Sequence, residues 1–495
     1  MDLIHGILSV LSPTNLFYCF IGCTVGTLVG VLPGLGTAST LAILFPLTIY
    51  LDPTGSIIML AGLFYGAMYG GSTTSILVNI PGEAASVITC LDGFQMTRQG
   101  RAGQALWIAA VGSFIAGTIG AIAMSFVGVG IAKYGLNFGP PEYTGLVFFS
   151  LTAVIGLSGA SLIKGLCSAI VGLMLASVGV DIITGLPRFT FTTFGLMRGF
   201  ELVPVVVGLF GFAEILSTTE SGTKKIYAGK IGKMMPRGKE LKKGLMASLR
   251  GTAVGLPLGM LPGMVVALTG FLAYDLEKRL SKYPEKFGTG VIEGVASPEA
   301  ANNATAQAGF IPLMALGIPT GPALAIILGA LMMYGLQPGP VLFQANKPFV
   351  WAVIGSMYIG NVMLLILNLP LVGLWARISL IPYKYLGPCI LAICVIGAYS
   401  PRNALFDVWV ALAFGILGYI MDKTHWPKTP MILAFILGPL LETSFRQSIN
   451  MGDLAIFLDR PIAIVLFIAG IIVAVVSLMY LKRVPKAVLD EPSEK

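Results

Sequence analysis

The side chains of this 495-residue chain that could hold an ion or a small anion gather around proline–glycine pairs. Gly36, Thr37 and Ser39 follow Pro33-Gly34. Ser72, Thr73, Thr74 and Asn79 precede Pro81-Gly82. In the second half Pro262-Gly263 sits in an apolar run, and Asn302-Asn303 precede Pro319-Thr320-Gly321. Hydroxyls and amides in an apolar segment need partners. A carboxylate or a dehydrated Na⁺ can supply them. Proline removes a backbone donor and glycine weakens a helix, so each pair is predicted to break one. The half-helix that follows a break offers free N–H groups and a positive dipole end to an anion. Carbonyl ends suit Na⁺, which is the one metal ion expected here, at the same breaks. These eighteen residues form the candidate substrate- and ion-binding set, and the breaks are expected to converge near the middle of the fold. No organic cofactor is expected.

Other chemistries find little support. His5 and His425 are isolated, so a histidine-based metal site is not expected. Asp52, Asp92, Asp181, Asp275 and Asp407 form no acid pair, and no GxGD or HExxH occurs. An intramembrane enzyme is therefore disfavoured. No GxxxxGK[ST] loop is present for a nucleotide. The six cysteines form no CxxC and read as small packing residues, Cys19 and Cys23 sharing a helix face. Lys164, Arg188 and Arg402 read as interface residues. An anion would then be held mainly by N–H groups, hydroxyls and amides. No charge ring or filter loop argues for a channel.

The elements that must position these residues are membrane helices. Hydrophobic residues make up 56% of the chain and charged ones 11%, against about 25% charged in soluble proteins. That excludes most soluble classes, disorder and disulfide scaffolds. Roughly 20 apolar residues cross a bilayer, so the composition predicts an all-α polytopic membrane protein of about twelve crossings plus broken or re-entrant pieces. The N-terminus has no basic stretch ahead of an apolar one, so no cleaved signal peptide is expected.

Residues 217–250 carry nine basic and two acidic residues, a net +7 of the chain's +8. The positive-inside rule makes this stretch cytoplasmic. One aromatic and no surrounding fold argue against nucleic-acid binding. The chain then divides into a first membrane repeat (1–216), the basic linker (217–250), a second membrane repeat (251–481) and a cytoplasmic tail (482–495). Residues 26–40 and 255–269 share seven of 15 positions, including both Leu-Pro-Gly triplets. Gly71…Ile80-Pro81-Gly82 answers to Gly309…Ile318-Pro319-Thr320, and Tyr134-Gly135-Leu136…Gly139-Pro140 to Tyr334-Gly335-Leu336…Gly339-Pro340. Two repeated halves, expected to be inverted, follow from this order. Inversion alone places both termini outside. The basic tail then requires an extra terminal helix.

The same stretches carry a resemblance. GVLPGLGTAS (30–39), YGGSTTSILVNIPGEAASVITCLDG (69–93), RQGRAGQAL (98–106), FGTGVIEGVASPEAANNA (287–304) and ALGIPTGPALAIILGAL (315–331) closely resemble the large membrane subunit of tripartite tricarboxylate transporters. The likeness spans roughly residues 15–475. Thr320 stands where glycine is familiar in such proteins. The resemblance implies the permease of a bacterial inner-membrane uptake system for citrate and other di- and tricarboxylates. It implies a small four-span membrane subunit and a periplasmic substrate-binding protein as partners, and coupling to Na⁺ or H⁺ rather than ATP. A permease working without a binding protein is the alternative.

Overall fold

The computed structural model describes residues 2–32, 36–134, 138–157, 161–181, 184–221, 231–263, 266–378 and 383–481. Helices dominate. α1 (Asp2–Val10) and α2 (Pro13–Val31) lead to a break and α3 (Thr37–Thr48). α4 (Pro53–Val78) opens with Pro53 at its first turn and Asp52 as cap, the carboxylate accepting the Gly55 N–H at 2.9 Å. α5 (Thr89–Arg98) and α6 (Ala102–Ala123) follow, α6 continuing through a π-helical turn into α7 (Val129–Tyr134). α8 (Pro140–Leu157) and α9 (Leu162–Ala176) precede a two-residue hairpin of β1 (Gly179–Val180) and β2 (Pro187–Arg188), then α10 (Leu202–Val206) and α11 (Ala213–Ser221).

The second half begins with α12 (Lys239–Gly259), a break, and α13 (Val266–Leu280). α14 (Glu293–Ala308) and α15 (Phe310–Leu316) meet at Gly309. After another break come α16 (Pro322–Met333), α17 (Pro340–Ala345) and α18 (Lys347–Asn368). α19 (Val372–Ile378), α20 (Tyr383–Tyr399), α21 (Leu405–Lys423), α22 (Lys428–Gly452), α23 (Ile456–Asp459) and α24 (Pro461–Leu481) complete the chain. Among the described residues five helices are long and apolar enough to cross a membrane: Pro13–Val31, Ala102–Ala132, Leu202–Glu220, Lys347–Asn368 and Leu405–Lys423. The expected count of about twelve is not reached by such uninterrupted helices among the described residues. Several apolar segments are shorter, Thr37–Thr48 and Pro322–Met333 among them, because a break lies beside each.

The basic stretch 217–250 is partly helical. α11 runs to Ser221 and α12 starts at Lys239, so the expected boundary at 250 falls inside a helix. Ile231 accepts the Gly103 N–H at 2.6 Å, and Arg101 pairs with Glu240 at 2.7 Å, tying the stretch to the start of α6. Residues 222–230 and the tail 482–495 lie outside the described residues.

Glycine sets the closest helix contacts. A Cβ on Gly22, Gly26 or Gly30 of α2 would stand 2.2–2.3 Å from the carbonyl oxygens of Met59, Leu63 and Ala67 on α4. A Cβ on Gly251, Gly255 or Gly259 of α12 would stand 2.0–2.5 Å from those of Ser297, Ala301 and Thr305 on α14. Only glycine lets backbones approach so closely. In each pair the numbers rise together, so the partners run parallel. The two ladders have the same register.

Further contacts fix the directions. α18 runs with α2: Gly360 faces Cys19 and Cys23, and Asn368 Nδ2 reaches Thr27 Oγ1 at 3.5 Å. α6 runs with α14: Gly112 lies near Ala296 and Gly120 against Gln307. α6 and α18 oppose each other, since Asn361 donates to Phe114 O at 2.8 Å while Tyr358 meets Ser125 at 3.0 Å. α2 and α4 thus run opposite to α12 and α14. The halves share one core, where Phe310 lies 6.0 and 5.3 Å from the rings of Phe64 and Tyr65. The motif pair at Gly139-Pro140 and Gly339-Pro340 is not equivalent by element order: the first opens α8, after α6, and the second opens α17, before α18.

Candidate site at the helix breaks

Two breaks double back. α4 ends at Val78, and Asn79 turns the chain with φ 58°. Gly82 returns to the level of Gly71, where its Cβ would be 2.9 Å from Gly71 Cα and 2.0 Å from the Gly30 oxygen. α15 ends at Leu316, and Gly317 turns the chain with φ 75°. Thr320 returns to Gly309, whose Cβ would be 2.7 Å from Thr320 Oγ1. Asn79 and Gly317 occupy the same place in the aligned motifs, where the left-handed conformation favours glycine and asparagine. The other two breaks separate α2 from α3 and α12 from α13. Gly263 N–H donates to Thr320 O at 3.1 Å, so the third and fourth breaks touch.

All four breaks contribute to the wall of one cavity of about 360 Å³. Gly36 and Thr37 come from the first, Glu83 and Ala84 from the second, Gly263 from the third, and Thr320 and Gly321 from the fourth. The first turns of α3, α13 and α16 border it. Neither Gly36 nor Gly321 caps its helix with a side chain, so first-turn N–H groups remain available. Phe64, Met68 and Val154 supply apolar wall. No lysine, arginine or histidine among the described residues lines it.

The cations are occupied elsewhere. Arg188 pairs with Glu442 at 2.7 Å, Arg446 with Asp181 at 2.9 Å, and Arg402 with Asp407 at 3.1 Å. Lys164 donates to Thr424 O at 2.5 Å. A larger cavity of about 670 Å³ contains Asp181, Arg188, Glu442 and Arg446. There each of these arginines already faces a carboxylate, which leaves less attraction for an incoming anion. Another, of about 570 Å³, lies beside Tyr143 and Gln447. The cavity at the breaks is smaller, but all four breaks contribute to its wall.

The predicted residues divide. Gly36, Thr37, Gly263, Thr320 and Gly321 line the cavity. Pro33 and Gly34 lie outside the described residues. Pro81, Gly82, Pro262 and Pro319 build the breaks without lining the space, Gly82 as a spacer between α2 and α4. Ser39 turns away and donates to Glu214 at 3.1 Å. Ser72 and Thr73 border a void of only about 10 Å³. Thr74 bonds back to Gly71 O at 3.2 Å. Asn79 is exposed.

Asn302 and Asn303 brace the wall from behind. Asn302 Nδ2 donates to Ala85 O at 2.6 Å, and Asn303 Nδ2 to Ser113 Oγ at 2.7 Å. Two acids escaped the sequence reasoning, which sought paired aspartates. Glu83 lines the cavity, with its Oε2 sealed and unbonded among the described residues. Glu299 is fully buried on α14 and accepts from Ser72 and Thr89. The signal of Glu83 was legible: it is a carboxylate directly after the Pro81-Gly82 break. No group of three metal-ligating side chains occurs among the described residues.

A protein of Agrobacterium vitis named "Uncharacterized 52.8 kDa protein in TAR-I ttuC' 3'region" is 44% identical over 491 residues, covering 97% of both chains. A second from the same organism, "Uncharacterized protein in TAR-II ttuC' 3'region", is 46% identical over 227 residues, 46% of this chain and 94% of its own length. No solved structure matches the chain. The family model described as "Tripartite tricarboxylate transporter TctA family" matches residues 16–433. With breaks, small-residue helix packing and family motifs all in agreement, the chain belongs to the tripartite tricarboxylate transporter TctA family.

Proposed function

We propose that this protein is the large permease subunit of a binding-protein-dependent tripartite system that takes up di- or tricarboxylates, citrate-like in charge, across the bacterial inner membrane. The observation that carries the reading is the cavity shared by all four helix breaks. A carboxylate there meets first-turn N–H groups and the hydroxyls of Thr37 and Thr320. The missing arginine clamp suits a carrier, since a fixed ion pair would slow release. A small four-span subunit and a periplasmic binding protein complete the system, and a Na⁺ or H⁺ gradient drives it.

Inverted repeats are part of the proposal. The equal registers of the α2–α4 and α12–α14 ladders, and their opposite directions, support a two-fold axis in the membrane plane. The contact between the basic stretch at Ile231 and Gly103 supports a cytoplasmic side for the α6 start and the α12 start. The N-terminus then lies outside, as Asp2 pairs with Lys347 at 2.8 Å at the far end of α18. α24 runs with α8, Gly145 meeting Ala463 and Gly470 meeting Phe148, a direction that is consistent with a cytoplasmic end for α24.

The test is uptake of radiolabelled citrate and succinate into proteoliposomes holding the permease and its small subunit, with and without the binding protein. Concentrative uptake that requires the binding protein is expected. Uptake independent of it would favour a permease acting without one.

A further inference from the structure

We propose that Glu83 receives the coupling cation, and that one monovalent cation, H⁺ or Na⁺, must neutralise it before the carboxylate substrate can occupy the cavity. The inference rests on the carboxylate-transport reading and adds a residue and an order of binding.

Glu83 is the one charged side chain among the described residues lining the cavity, and its sign is wrong for the substrate. Its Oε2 is sealed from solvent and accepts no hydrogen bond from the described residues. The Thr37 hydroxyl lies beside it. That hydroxyl sits on a residue only 5% exposed. The Glu83 carboxylate and the Thr37 hydroxyl, from the two breaks of the first half, therefore meet beside the cavity with no cation supplied by the described residues. Burying an unpaired carboxylate is strongly unfavourable, so such groups take up a proton or a cation. A second carboxylate brought close to an ionised Glu83 would lose affinity by several hundred-fold at the effective dielectric of such sites. Neutralising Glu83 removes that loss, and linkage requires the substrate to tighten cation binding equally.

Glu299 is the natural rival, and its environment differs. Both its oxygens accept hydroxyls, from Ser72 and Thr89, and it does not line the cavity. It is the titratable group whose field reaches Glu83 from α14. α3 presents Thr37, α4 presents the uncharged Gly71 and Thr74 to this bend, and α13 and α16 bring no charge to the cavity wall.

The test uses the full chain with its small subunit and binding protein in proteoliposomes, with radiolabelled citrate and succinate. A Na⁺ gradient at clamped pH and a pH gradient without Na⁺ form separate arms and distinguish the two cations. In Glu83→Gln, gradient-driven accumulation should be lost in both arms, and the carboxylate exchange that remains should no longer depend on Na⁺ or pH. Thr37→Val should raise the half-saturating cation concentration several-fold. Unchanged cation dependence in Glu83→Gln overturns the proposal.

Dicyclohexylcarbodiimide, which modifies protonated carboxyl groups, reads Glu83 in the wild-type complex without transport and decides the matter if a variant fails to insert. Labelling that falls with rising pH, or with Na⁺ at fixed pH, supports the site. Labelling indifferent to both overturns it. Wild-type protein that moves neither carboxylate yet shows cation-dependent labelling defeats the transport reading alone.

Discussion

At the residue scale the site depends on small groups more than charged ones. Gly82 fills the gap between Gly30 and Gly71, and no side chain fits there. Gly82→Val is expected to abolish uptake and cost at least the 1–3 kcal/mol typical of overpacking, read as a lower melting temperature in detergent. Thr320 differs: it lines the cavity, and its carbonyl accepts the Gly263 N–H. Thr320→Val should raise KM for the carboxylate by roughly five- to ten-fold, the worth of about one neutral hydrogen bond, with the melting temperature unchanged. An unchanged KM would remove the hydroxyl from the site. Asn303→Ala acts from behind the wall, since its amide holds Ser113 and not the cavity. Reduced uptake through lost stability is expected there, visible as a shifted melting temperature.

At the element scale the working unit is a glycine ladder ending in a break. The ladder locks a long helix against the next, and the break presents its N–H groups to the cavity. Gly26 and Gly255 hold the same rung in the two halves, where an added Cβ would stand 2.3 Å from a backbone carbonyl oxygen in each case. Gly26→Leu and Gly255→Leu should therefore lower the melting temperature by similar amounts, checked side by side in one detergent. A loss confined to one variant would contradict equivalent roles. The break motifs were legible because proline and glycine act locally on the backbone. The return of each break to the level of Gly71 or Gly309 was not, because it depends on how far the hairpin folds back along its own helix.

At the scale of the whole molecule, the proposed axis makes a prediction about sides. Tyr50 follows α3 and Lys282 follows α13, and both are exposed. In a chain with its native cysteines replaced, Tyr50→Cys should react with an impermeant maleimide from the periplasm. Lys282→Cys should react only from inside-out vesicles. Labelling of both from one side would remove the inverted arrangement. Nearly all the chain's net charge lies in the central basic stretch, which leaves the membrane halves close to neutral.

The sequence by itself determined the class, the places where helices break and the family, because each rests on local composition or on a contiguous motif. It could not decide which members of the polar clusters share a space. Asn79 and Ser39 carry the right chemistry in the right motifs, yet one caps a helix in the open and the other bonds Glu214. Glu83 was one acid among many until folding set it in the cavity wall beside Thr37 with no cation near it among the described residues. The direction of a side chain follows from the rotation of its helix and from the partner it meets hundreds of residues away. Only the tertiary structure fixes those two quantities.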